Sequence, residues 1–173
     1  NFSSLVFMVP LSIAMAVTIK VGFAVGEKKF QQAKEICRDS VILGLLVAIL
    51  TAAITLIFKE QIASIYTTEA PVIELAASLM FLAALFQFSD AIQVISAGAL
   101  RGYKDTKSIL VITFISYWLI GLSLGLTLGI TDWIVPQIGP YGFWIGFISG
   151  LTAAAVLLAW RLKVIQRRCE HAE

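Results

Sequence analysis

From Val72 to Leu100 the chain reads VIELAASLMFLAALFQFSDAIQVISAGAL. Apart from Glu74 near its start, Asp90 is the only ionisable residue in this run. A helix of this length, at 1.5 Å per residue, exceeds the roughly 30 Å of a bilayer's hydrocarbon core. A soluble core can absorb one such stretch, but four more accompany it: Phe2–Val25, Val41–Phe58, Ile109–Ile130 and Tyr141–Trp160. None alternates apolar with polar residues as a barrel strand does. Helix is then the only way left to satisfy backbone groups in lipid. The sequence therefore reads as an all-α integral membrane protein with five transmembrane helices and the lipid bilayer as its solvent.

Composition agrees. Hydrophobic residues make up 59% of the 173, charged residues 14%, and the mean hydropathy is +0.90. Soluble domains run at about 45–50% apolar and about 25% charged. A net charge of +2, dispersed along the chain, argues against nucleic acid as a partner. The connectors are either charged (Gly26–Ser40, Arg101–Ser108) or rich in turn residues (Tyr66–Pro71, Thr131–Pro140). Eleven of the 13 basic residues follow helices one, three and five, whereas the opposite connectors hold only Lys59. By the positive-inside rule the basic side is cytoplasmic, which places the tail 161–173 inside the cell. Cys37 and Cys169 then face a reducing compartment and are expected to stay free. Lys20 lies about five residues from that end of its helix and is expected to snorkel to the interface. Within Gly26–Ser40, Phe30, Ala33, Ile36 and Cys37 share one side, which suggests a separate interfacial helix.

Several polar and small residues inside the helices stand out. Asp90 lies ten residues before Leu100, about 15 Å deep and near the bilayer midplane. A carboxylate there costs roughly 2.5–3.5 kcal/mol on insertion scales, so it needs a function or a partner. Gln87 and Gln93 flank it at three-residue spacing, and Ala83 and Ala97 extend the stripe. Glu74, near the outer end, is expected to be solvated. Gly121, Gly125 and Gly129 form one small-residue stripe and Gly142, Gly146 and Gly150 another, a pattern that lets two helices approach closely. Pro10 is expected to kink helix one. The Asn1-Phe2-Ser3 sequon reads as chance. No Ser/His pair or histidine cluster points to an enzyme, and the one histidine, His171, is in the tail. The start at Asn1 and the odd helix count suggest a fragment lacking N-terminal helices of the same protein.

Three segments carry a family resemblance: VPLSIAMAVTIKVGFAVGEKKFQQAKE (Val9–Glu35), SAGALRGYKDTKSILVITFISYWLIGL (Ser96–Leu122) and GPYGFWIGFISGLTAAAVLLAWRL (Gly139–Leu162). They resemble the multidrug and toxic compound extrusion (MATE) family, above all its bacterial NorM branch. The most specific signal is Leu100-Arg101-Gly102 followed by Asp105-Thr106. Ser123 stands where the family pattern usually has proline, which puts a kink in helix four in doubt. The resemblance implies a twelve-helix, two-lobe transporter of the bacterial inner membrane. This chain would then be a partial C-terminal lobe, helices 8 to 12. It implies export of small organic cations and drugs against Na⁺ or H⁺, with no other cofactor. It also implies a cation-coupling acid at Asp90, which would be the Na⁺ ligand in a sodium-coupled member, and a second acid on a helix upstream. Phe7 and Phe86 are the implied aromatics beside the cation, with Gln87 and Gln93 as further lining residues. A lipid-linked precursor flippase of the same superfamily would instead show basic residues lining a cavity, and only Lys20 qualifies. A non-transporting membrane assembly subunit and an intramembrane enzyme remain further alternatives.

Overall fold

The computed structural model describes residues 2–66, 70–129 and 140–170. Residues 67–69 and 130–139 of the connectors, the sequon at Asn1, the Glu74 side chain and the tail from residue 171, with His171, lie outside the described residues. The described residues form α1 (Phe2–Gly26), α2 (Phe30–Ile57), a short α3 (Lys59–Tyr66), α4 (Ala70–Gly102), α5 (Thr106–Phe114), a π-helical stretch (Ile115–Leu122), α6 (Ser123–Gly129) and α7 (Pro140–Glu170). Among the described residues five helices are long and apolar enough to cross a membrane; α5, the π stretch and α6 together make one of them. The all-helical membrane architecture read from the sequence is the one observed.

The interior is rich in small residues, beside a few large ones such as Ile95, Leu100 and Leu158. Ala14, Ala24, Ala48, Ala84, Ala91 and Ala154 are buried, whereas Leu5, Phe23, Leu50, Phe81, Trp118 and Trp160 are exposed. Lipid tails are as apolar as leucine, so burying large apolar groups against protein gains little. Close backbone approach gains dispersion contacts and hydrogen bonds instead. α4 lies at the centre, packed against α1, α2 and α7, and α7 in turn packs on the π stretch and α6. At the α1–α4 crossing a Cβ on Gly98 would lie 2.5 Å from the Ala14 carbonyl oxygen. The Thr18 hydroxyl donates across the same crossing to the Gly98 carbonyl, at 2.9 Å.

Three features differ from the sequence reading. The expected interfacial helix is the first part of α2, which runs unbroken from Phe30 into the apolar segment. No glycine or proline interrupts the chain around Ser40. Ala33 and Cys37 are buried among Val21, Ala24, Leu158 and Leu162 rather than in a lipid surface. The reversal happens earlier, at Lys28, whose φ of 58° is left-handed. Likewise, the tail is helical as far as Glu170, because Leu162 and Gln166 continue the buried face of α7. Finally, helix four is irregular without a proline. Its π stretch ends at Ser123, whose N–H donates to the Ile120 carbonyl, a bond that proline could not make.

Candidate functional site

Asp90 sits in the middle third of α4, with its residue 5% exposed. Its carboxylate makes no hydrogen bond or ion pair with any other described residue. Two cavities meet at it. A small one, about 10 Å³, lies against α1 and α2 and is lined by Val6, Phe7, Pro10, Thr51 and Gln87, among others. That is room for about one water or a bare ion. A larger one, about 550 Å³, opens between α1, α4, α7 and the π stretch. Asp90, Phe7 and Phe86 line both.

The local sequence explains how these groups converge. Gln87 and Gln93 lie three residues to either side of Asp90, which on a helix of 3.6 residues per turn puts them about 60° to its left and right. Gln87 faces α2, where its Nε2 donates to the Thr55 hydroxyl at 3.1 Å. Its Oε1 is buried without a partner. Gln93 faces the larger cavity. Pro10 is buried beside Asp90 and has no N–H, so the Val6 carbonyl one turn earlier lacks its usual donor. Unsatisfied oxygen therefore collects around the small cavity: the carboxylate, Gln87 Oε1 and the Val6 carbonyl.

The larger cavity is aromatic. Phe86 stacks on Phe147, with ring centroids 5.4 Å apart, and Trp144 meets Phe147 edge-on at 6.4 Å. Tyr117, from the π stretch, lines the same space. Such rings present negative faces to a cation. Arg101 lines the far, basic end. Among the described residues no group of three His, Cys, Asp or Glu side chains gathers as a metal site. Among the described residues Asp90 therefore belongs to no such group.

The family model MatE matches residues 1–127 of the chain. The chain belongs to the MatE family. Curated relatives agree. The multidrug resistance protein NorM of Photobacterium profundum is 55% identical over 166 residues, which is 96% of this chain and 36% of that protein. The multidrug resistance protein MdtK of Yersinia pseudotuberculosis is 53% identical over 168 residues, 97% of this chain and 37% of that protein. This MatE chain therefore spans little more than a third of the relatives it matches. Among solved structures, the eukaryotic MATE transporter AtDTX14 superimposes with a TM-score of 0.86 at 20% identity, over 98% of this chain and 38% of that one. An inward-facing MATE family transporter gives 0.78 at 16% identity, over 95% of this chain and 39% of that one. Both of these solved structures are named as transporters.

Within the MatE fold, Asp90, Gln87, Gln93, Phe86 and Phe7 all line the paired cavities. The six glycines lie elsewhere, at the contact of α6 and the π stretch with α7. Lys20 is exposed on α1 and lines neither cavity beside Asp90. Tyr117, Trp144 and Phe147 were missed by sequence reasoning. The one available signal was the spacing of Trp144, Phe147 and Leu151, which repeats one helix face.

Proposed function

We propose that this chain forms the coupling part of an antiporter that exports organic, mostly cationic drugs in exchange for Na⁺ or H⁺. The supporting observation is an unpartnered carboxylate, Asp90, buried at mid-membrane depth against an aromatic-lined cavity. A bare carboxylate in low dielectric is costly, so neutralising it with a proton or cation is favourable. A drug cation held by the ring faces and the Asp90 charge competes with the coupling cation for that same charge. Binding of either one weakens the other, which is the elementary requirement for exchange. Differential binding to two conformations of the bundle then converts this competition into alternating access.

A proton needs Asp90 alone. Na⁺ prefers several oxygens, and Gln87 Oε1 and the Val6 carbonyl would supply some of them. Further ligands, a second acid among them, would come from other helices of the complete protein. The basic ends of the helices orient the chain with Lys104 and the end of α7 in the cytoplasm of a bacterial inner membrane. The flippase reading gains no support at Asp90, because Lys20 lines neither cavity there and the base that lines the larger one, Arg101, sits at its basic end rather than deep within the membrane. The experiment is drug export from vesicles under an imposed Na⁺ or proton gradient, with the protein level checked. Asp90→Asn keeps the side-chain shape but can neither lose a proton nor offer a full charge. In the complete protein it should fold normally and lose at least about a hundredfold of gradient-driven export, the lower end for an essential proton-transfer group. Export at the wild-type rate would make Asp90 a structural acid.

A further inference from the structure

A third cavity, about 630 Å³, lies at the basic end of the bundle between α2, α4 and α7, away from Asp90. Its rim carries Lys34 and Arg38 from α2 and Lys163 and Arg167 from α7, against one acid, Glu35. Lys34 and Arg38 already hold Glu170 and Asp39 in exposed pairs, at 2.7 and 3.0 Å. Such pairs are weak and yield readily to a better anion. Lys163 and Arg167 have no ion pair among the described residues and are exposed on the rim. The deeper lining is apolar, Val41, Ile92 and Ala159 with the half-exposed Ile42 at its outer edge. Between rim and apolar lining lies Ser96, 1% exposed, its hydroxyl without a partner. Ser96 is six residues before the end of α4, about 9 Å below the basic surface.

Reading inward, the cavity offers positive charge, then the buried Gln166 amide and Ser96 hydroxyl, then hydrocarbon. A soluble anion would use only the first layer, and an apolar drug only the last. A phospholipid presents these chemistries in the same order: phosphate, ester oxygens, acyl chain. We propose that this cavity binds one anionic phospholipid of the surrounding leaflet. Its phosphate would lie between Lys163 and Arg167, its ester oxygens near Ser96 and an acyl chain along Ile42, Ile92 and Ala159. The site is independent of the efflux reading, since none of its residues touches the Asp90 cavities.

The test uses native mass spectrometry of the complete protein, titrated with phosphatidylglycerol or phosphatidylcholine of identical acyl chains. Phosphatidylglycerol should bind at one saturable site and phosphatidylcholine should bind at least about tenfold more weakly. Lys163→Gln combined with Arg167→Gln should weaken phosphatidylglycerol about tenfold or more, each base near a membrane surface contributing several-fold. Lys107→Gln, on the same side but outside the cavity, should bind as wild type. Ile42→Trp, which crowds the outer edge of the apolar lining and leaves the charges intact, should also weaken binding. Inorganic phosphate at equal concentration should not compete. Equal affinity for the two lipids, wild-type binding by the double variant, an equal loss in Lys107→Gln, no loss in Ile42→Trp, or full competition by phosphate would each overturn the proposal.

Discussion

Asp105 and Asp90, fifteen residues apart, have opposite surroundings. The Asp90 carboxylate accepts no hydrogen bond from the described residues. Asp105 accepts one from the Ser108 hydroxyl at 2.8 Å and another from Arg161 Nε at 2.7 Å, which pins the α4–α5 turn to α7. Burial pushes the Asp105 carboxyl up, but Arg161 and Ser108 outweigh it and hold it below its ordinary value of 3.8. A carboxylate with a lowered folded-state value stabilises the fold above the ordinary value. That contribution fades as pH falls through the ordinary value toward the lowered one. Asp105→Asn should therefore cost about 1–2 kcal/mol near neutral pH, the scale of charge-assisted hydrogen bonds that are partly exposed. The cost should vanish as the pH falls well below 4. Thermal unfolding of both proteins in detergent across pH checks this; a gap independent of pH would remove the charge from the explanation. Asp90 was legible in the sequence because depth follows from counting residues along a helix. Tyr117, Trp144 and Phe147 were not, because in a helix apolar all round an aromatic facing lipid reads the same as one facing a cavity.

Glycine stripes show what an element's sequence can and cannot say. Spacing alone indicates that Gly121, Gly125 and Gly129 can meet Gly142, Gly146 and Gly150, and it treats all six alike. The packed helices do not. A Cβ on Gly146 would fall 2.3 Å from the Gly125 nitrogen, and one on Gly142 would fall 2.6 Å from the Gly129 nitrogen. A Cβ on Gly125 comes nearest to Phe143, at 3.7 Å, an ordinary contact. Gly146→Ala must push two backbones apart and should cost about 1–3 kcal/mol, whereas Gly125→Ala should be neutral or slightly stabilising. Folded yield and melting temperature of the two variants decide it, and equal tolerance would mean that the two helices are not in close contact. The π stretch was invisible to spacing. It directs Tyr117 toward Asp90's cavity while Ser116 and Gly121 stay buried against α7. The upright start of α2 was misread for a related reason. An amphipathic segment buries its apolar face equally well in a lipid surface or against other helices, and only the neighbours decide which.

For the whole molecule, the asymmetry of basic residues predicts a sidedness that labelling can test. A single cysteine at Lys104 should react with a membrane-impermeant reagent only from the cytoplasmic side, and one at Glu60 only from outside; the reverse pattern would invert the assigned faces. The sequence by itself determined the solvent, the helical class, the number of crossings and the depth of Asp90. Each of these depends on quantities that add along one chain: hydropathy, length, charge and rise per residue. Tertiary structure alone decided that Gln87 turns to Thr55 while Gln93 faces the cavity, that aromatics from α1, α4, α7 and the π stretch surround Asp90, and that four bases crown an apolar groove. Those are relations between helices distant in sequence. In a bundle whose helices are apolar on every side, only close packing of backbones selects which faces meet.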